Sequence, residues 1–332
     1  MRYRELGRSG ISASVVAFGA WAIGGWNWGG TEDDKGIRAI HAALDGGINF
    51  IDTAPMYGMG HSEEVVGRAL RGRRDKVVLA TKCGMVWDGT ERGDFRFATD
   101  EHGVREDGPI KVYKYLGADS IRREVEISLK RLGTDYIDLY QTHWQDSTTP
   151  VSESMGVLME LKREGKIRAI GCSNATPGHM DAYAANGQLD VDQELYSMLD
   201  REHEQDNLPW CSAHGTAFLA YSPLGQGLLT GAIGPDRVFG PGDMRRTKPR
   251  FSMENRIRIA AMLDRFRPLT EKYACTTGQL VLAWTLEQTG CTHVLAGARD
   301  EDQIRENLRG GEIFLEAADV AFMRETLLAC GL

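Results

Sequence analysis

The 332-residue chain has no run approaching the ~18 consecutive apolar residues of a membrane-spanning helix, so no such span is expected. It has no CxxC pair and no cysteine–histidine cluster at zinc spacing. Cys83, Cys172, Cys211, Cys275, Cys291 and Cys330 are dispersed, which argues against a disulfide framework or a metal centre and for reduced thiols in a cytoplasmic enzyme. A basic excess is also missing. With 39 Lys and Arg against 47 Asp and Glu, the net charge is −8, so nucleic acid and anionic membrane are not expected partners, although one local basic pocket for a phosphate stays compatible. No linker-like or low-complexity tract divides the chain, and residues 1–332 read as a single domain. Arg2, Arg4 and Arg8 ahead of the apolar stretch 15–23 imitate a secretory signal. Glu5, the turn-like Gly7-Arg8-Ser9-Gly10 and the glycines inside that stretch count against one.

Glycine, by contrast, is abundant: 39 of 332 residues, about 12 % against a usual ~7 %. It follows no three-residue period, so a collagen-like helix is out, and tight turns or backbone close to a ligand remain. Apolar residues make up 42 % and charged residues 26 %, the profile of a soluble globular protein with an ample core.

Short β-rich runs alternate with amphipathic helical stretches. The runs begin near Val15, Ile48, Lys76, Tyr136, Ile167, Leu189, Thr216 and Thr292, and each is rich in β-branched or aliphatic residues, as strands buried on both faces are. Helical spacing fits 31–44, 62–70, 120–132, 151–164, 177–186 and 301–308. Eight strands with intervening helices predict an α/β fold, a (β/α)8 TIM barrel preceded by an N-terminal β-hairpin. Segments 83–118 and 223–252 are too long for ordinary connections and read as two long loops over the top face. A doubly wound sheet is the rival, weakened because no GxGxxG follows the first strand.

In a parallel barrel, chemistry sits at the C-terminal strand ends. Those ends carry Asp52 and Tyr57 after the second run, Lys82 after the third and His143 after the fourth. Taken singly, Asp52 suits an N-cap, Tyr57 a turn, Lys82 a solvated surface and His143 a core contact. Together on three successive strand ends they form an acid/base set that needs no metal. Tyrosine, with a pKa near 10, is a poor acid or base at neutral pH. A neighbouring ammonium is expected to lower it, and a carboxylate to keep that ammonium charged and in place.

These residues stand in FIDTAPMYG (50–58), VVLATKCG (77–84) and LGTDYIDLYQTHW (132–144), followed by GKIRAIGCSN (165–174), LAYSPLGQGLLTG (219–231) and GARDEDQIREN (297–307). In kind and order the motifs resemble those of the aldo-keto reductases across nearly the whole chain. WAIGGWNWGGT (21–31) resembles the bacterial branch that contains stress-protein-type and sugar- or inositol-linked reductases. The resemblance implies a catalytic tetrad of Asp52, Tyr57, Lys82 and His143, with Tyr57 as general acid. It implies a nicotinamide cofactor held at the top of the barrel: Ser173, Asn174 and Gln193 at the carboxamide, and Tyr221 stacked on the ring. Ser222, Leu224, Gly227 and Leu229 would lie along the pyrophosphate, and Gly297, Arg299, Gln303 and Asn307 at the adenosine end. A guanidinium near the ribose favours a 2′-phosphate, so NADPH is expected ahead of NADH. Leu295-Ala296-Gly297 stands where many relatives in that family have Ile-Pro-Gly, a departure that falls at the 2′-phosphate pocket.

Lys248 and Arg250 read as facing solvent. Trp26 and Trp144 are the expected substrate contacts, within an aromatic wall that could also include Trp21, Trp28 and Trp87. The expected partner is a small-molecule carbonyl compound, either a sugar aldehyde or keto-sugar or a bulky cyclic ketone, reduced to an alcohol. Two rivals use the same barrel: a redox sensor that binds NADPH with little turnover, and an aldolase or isomerase with Lys82 as a Schiff-base nucleophile. Oligomeric state is not legible in the sequence.

Overall fold

All eight β-rich runs become parallel strands of one closed barrel: β1 (Val16–Gly19), β2 (Phe50–Asp52), β3 (Val78–Cys83), β4 (Ile137–Thr142), β5 (Ile167–Ser173), β6 (Val191–Leu195), β7 (Ala217–Tyr221) and β8 (Cys291–Gly297), paired in sequence order with β8 returning to β1. The computed structural model describes residues 1–101 and 103–331. Alternate strand residues point inward. Ala17, Phe50, Ala80, Leu139, Ala169, Val191 and Leu219 fill the barrel, and their small average size suits its narrow interior. An antiparallel hairpin, Tyr3–Glu5 with Ser12–Ser14, caps the N-terminal end by inserting Leu6 and Ile11 into that same cluster.

Helices cover the outside: α1 (Asp33–Asp45), α2 (His61–Ala69), α3 (Ala118–Leu132), α4 (Val151–Arg163), α5 (Pro177–Asn186), α6 (Asn207–His214), α7 (Met253–Asp264), α8 (Arg267–Lys272), α9 (Thr277–Leu286), α10 (Glu301–Gly310) and α11 (Ala317–Ala329). The first five and α10 match the stretches with helical spacing. The others were not anticipated, and α9 shows one reason: every residue from Gly278 to Leu286 is buried, so no polar face marks a period. A capping box starts it. The Thr276 hydroxyl accepts from the Gln279 N–H, and the Gln279 side chain accepts from the Thr276 N–H.

The 83–118 segment corrects the expectation of a long irregular loop. It folds into a three-stranded antiparallel sheet of Met85–Val86, Asp94–Thr99 and, between them, Ile110–Lys114. The long strand carries a bulge between Phe95 and Phe97, which pair with the consecutive residues Tyr113 and Val112. The bulge breaks the period-two pattern by which such a strand is read in sequence. The 223–252 segment stays mostly irregular, with short 3-10 turns. It meets the loop after β1 through a bridge between Trp28 and Asp243 and the Met244 N–H donated to Asn27 O at 3.0 Å.

Candidate active site

Parallel register brings the strand ends to one level. Gly19 pairs with Asp52, and Lys82 with Gln141. The Lys82 ammonium, fully buried, donates to Asp52 Oδ1 at 2.6 Å, to the Thr53 carbonyl at 3.0 Å and to the Tyr57 hydroxyl at 3.3 Å. Asp52 Oδ2 in turn accepts from Gln193 Nε2 at 2.9 Å and Gln141 Nε2 at 3.2 Å. Both carboxylate oxygens of Asp52 are therefore hydrogen-bonded, the condition under which a buried pair is tolerated. Tyr57 is set by a glycine contact. A Cβ on Gly24 would lie 2.6 Å from the Tyr57 carbonyl, and Gly58, at φ +70°, would bring one within 2.3 Å of the Gly24 carbonyl. The two turns touch backbone to backbone, which holds the Tyr57 turn against the loop after β1.

The electrostatics depart from the simplest expectation for a tyrosine beside a lysine. Burial, with the Asp52 charge second, holds the Tyr57 phenol well above its usual pKa, so the lowering expected from Lys82 does not prevail. Beyond burial, the ion pair itself weakens the pull of Lys82. The ammonium is neutralised at 2.6 Å by Asp52, and the phenol faces an ion pair rather than a free cation. Burial also pulls Lys82 below the usual lysine value, against the opposing pull of Asp52 and Glu63. His143 packs edge-on to Tyr57, with ring centroids 5.8 Å apart. Burial, then Lys82 and Arg96, keep it neutral, far below the usual histidine pKa. Its Nδ1 is buried with no hydrogen-bond partner among the described residues.

A cavity of about 820 Å³ runs from Asp52 and Tyr57, past Tyr221 and the turn at Gln226, to Arg299 and Asn307. Tyr221, Ser222, Leu224 and Gly227 line its middle, and Gly297, Arg299, Gln303 and Asn307 its far end. Leu229 is fully buried beneath the turn and does not line it. Ser173 and Asn174 hold the wall from behind. Ser173 Oγ donates to Gln193 O, Asn174 Nδ2 donates to His143 O and Ser173 Oγ, and the Tyr221 hydroxyl donates to Asn174 Oδ1 at 2.9 Å. Asn174 and Ser222 adopt left-handed backbone at φ +54° and +55°, as do Gly225, Gln226 and Gly227, a tight turn in which the Gly225 and Gly227 N–H groups donate to Ser222 O and Leu224 O.

At the far end, Asn307 Nδ2 donates to Gly297 O and Gln303 Oε1 accepts from the Arg299 N–H. The Arg299 guanidinium lies 5.4 Å from the Trp28 ring centroid and donates to Trp28 O at 3.4 Å. Burial and the nearby Arg245 lower its pKa, the mark of a cation-rich corner. Trp21 and Trp28 line this cavity. Trp26 instead packs with Met56, Met85 and Val112 under the added sheet, its Nε1 donating to Thr99 Oγ1, while Trp144 lies beneath Arg96.

Three contributors were not anticipated. Gln141 binds Asp52, Gln226 forms the turn, and Arg245 clamps that turn by donating to Gln226 O while paired with Asp243 at 2.6 Å. The basic run MRRTKPR (244–250) in an acidic chain was the available signal for Arg245. Lys248 and Arg250 are also half-buried rather than solvent-facing. Lys248 donates to Gln226 Oε1, and Arg250 pairs with Asp200.

Comparison with known proteins agrees with this geometry. Residues 15–327 match the model of the Aldo/keto reductase family. The chain is 45 % identical to the NADH-specific methylglyoxal reductase of Escherichia coli (strain K12), over 98 % of each chain. It is 38 % identical to aldo-keto reductase YhdN of Bacillus subtilis (strain 168), over 92 % of this chain and 87 % of that one. Among solved structures, the glycerol dehydrogenase AKR11B4 from Gluconobacter oxydans superposes with a TM-score of 0.84 at 39 % identity, covering 96 % of this chain and 93 % of that one.

Proposed function

The chain belongs to the aldo/keto reductase family, and from that membership we propose that it reduces the carbonyl of a small oxygenated aldehyde or ketone, with Tyr57 as the proton donor and NADPH as the cofactor. As a member it is an NAD(P)H-dependent oxidoreductase. The observation that carries the proposal is the chain of contacts from Asp52 through Lys82 to the Tyr57 hydroxyl, at 2.6 and 3.3 Å, at the closed end of the cavity.

The residues present suit a nicotinamide dinucleotide: a ring-sized wall at Tyr221, a left-handed turn at Gly225–Gly227 and a guanidinium at Arg299. When bound, that cofactor supplies the hydride. Tyr57 donates its proton to the oxygen that gains charge, and Lys82, anchored by Asp52, fixes the phenol and stabilises the phenolate left behind. Neutral His143 would donate its ring N–H to the same oxygen and orient the carbonyl.

A sugar aldehyde or keto-sugar is the favoured substrate class. The Trp21 ring lies 6.1 Å from that of Tyr57 and offers a face for the C–H surface of a polyol. Relatives named for methylglyoxal and glycerol point the same way, toward small oxygenated compounds. A cytoplasmic site of action belongs to the same proposal, supported by six free cysteines. Among the described residues no helix is long and apolar enough to cross a membrane.

NADPH rather than NADH is supported by Arg299, which pairs with no carboxylate among the described residues. We expect kcat/KM for NADPH to exceed that for NADH by at least about tenfold, and Arg299→Gln to remove most of the difference, the scale of one charge-assisted contact. Equal use of both cofactors by the wild type sinks this part of the reading. The NADH-specific relative makes it a discriminating test. Consumption of NADPH against a panel of sugar aldehydes and ketones tests the whole. Tight cofactor binding without turnover on any carbonyl selects the sensor instead.

The pH profile follows from the signs above. With the phenol held above 10 and His143 neutral, reduction should be flat between about pH 6.5 and 9. Alcohol oxidation, which needs the phenolate, should rise steadily over that range. An acid limb between pH 6 and 7 in the reduction profile, measured as kcat/KM, counts against a neutral His143.

A further inference from the structure

The three-stranded sheet built by 83–118 places one cation beside the site in a way the rest of its charges are not placed. Arg92 pairs with Asp119, Arg105 with Asp100, Lys111 with Glu91 and Lys114 with Asp94, at 2.6 to 3.2 Å. Arg96 is the exception. It is exposed, and among the described residues it makes no hydrogen bond or ion pair. It is also the residue of the bulge: Phe95 and Phe97 pair with Tyr113 and Val112, and Arg96 between them has no partner across the strand. Bulges re-aim a side chain, and here the guanidinium is carried over the ring of Trp144, 4.1 Å from its centroid. Trp144 directly follows His143. The charge is felt at the site itself, where it helps lower His143 and opposes the rise of Tyr221.

We propose that Arg96 is a specificity-determining residue that selects carbonyl substrates bearing an oxyanion, a carboxylate or a phosphate, set a few bonds from the reacting carbon. The proposal rests on the carbonyl-reductase reading and adds the charge of the substrate to it. Lys82 cannot fill this role, because Asp52 already neutralises it. Among the described cations of the added sheet, Arg96 is the one with no hydrogen bond or ion pair, and its place 4.1 Å from the Trp144 centroid leaves its N–H groups available to a carboxylate or phosphate.

Two matched pairs test it and separate the two anions: 4-oxobutanoate against its methyl ester, and glyceraldehyde 3-phosphate against glyceraldehyde. In the wild type, kcat/KM should favour the charged member of at least one pair, by an amount that shrinks as salt is raised. Arg96→Gln should lower that charged-to-neutral ratio by at least about tenfold, mainly through KM, and Arg96→Lys should restore part of it. A preference in one pair only identifies the anion. A ratio unchanged within about twofold in Arg96→Gln, or a wild type that prefers the neutral member of both pairs, overturns the Arg96 assignment and leaves the reductase reading standing. Absence of turnover on all four compounds and on the wider carbonyl panel overturns both.

Discussion

Tyr57→Phe is expected to lower kcat for carbonyl reduction by about 10²- to 10⁴-fold, the contribution of a positioned general acid. Cofactor binding, followed by quenching of protein fluorescence, should change little. The cavity wall at Tyr221 and the far end at Arg299 are built from other elements, and the phenylalanine ring can occupy the same place against Trp21 and His143. Loss of the hydroxyl removes only the group 3.3 Å from Lys82 Nζ. A variant that keeps full kcat would show that the proton comes from elsewhere, and His143 is too strongly neutral to be the substitute.

Lys82→Met should be damaging in a second way. It leaves Asp52 buried with only the two amide donors Gln141 and Gln193, and breaking such a pair costs about 3–5 kcal/mol. Urea unfolding should show that loss, and kcat should fall together with it. Adding Asp52→Asn to Lys82→Met should recover a large part of the stability, since no unpaired charge then remains, but none of the activity. A loss below about 1 kcal/mol in the single variant would mean that water or a neighbouring group compensates the carboxylate. Because the stability and activity effects separate in the double variant, it distinguishes the role of Lys82 in holding Tyr57 from its role in satisfying Asp52.

The barrel was legible because strands buried on both faces write themselves as continuous apolar runs, and helices with one buried stripe write a 3.6-residue period. Where those conditions fail, so does the reading. Helix α9 is buried all round and has no stripe. The sheet in 83–118 is short, partly exposed and broken by a bulge, so it imitates a loop. Asp52, Tyr57, Lys82 and His143 could be singled out in the sequence because each stands at or just after the C-terminal end of a strand that could be recognised. Gln141 was missed although it pairs with Lys82 across the same register, because a glutamine inside an apolar strand gives no chemical signal of its own.

Order along the chain was enough to settle which residues reach the top of the barrel, since parallel strands in sequence order bring every C-terminal end to one face. It was not enough to settle charge or aim. The phenol of Tyr57 is raised rather than lowered because burial strips it of water, with the nearby Asp52 charge second, an environment that exists only in three dimensions. Trp26 and Trp28 stand two residues apart, yet one packs under the added sheet and the other lines the cavity beside Arg299. Arg96 lies over Trp144 at a place in its strand where one extra residue sits. Periodicity along the chain records which face is buried. The direction of a single side chain depends on what packs against it, and those neighbours come from segments far away in sequence.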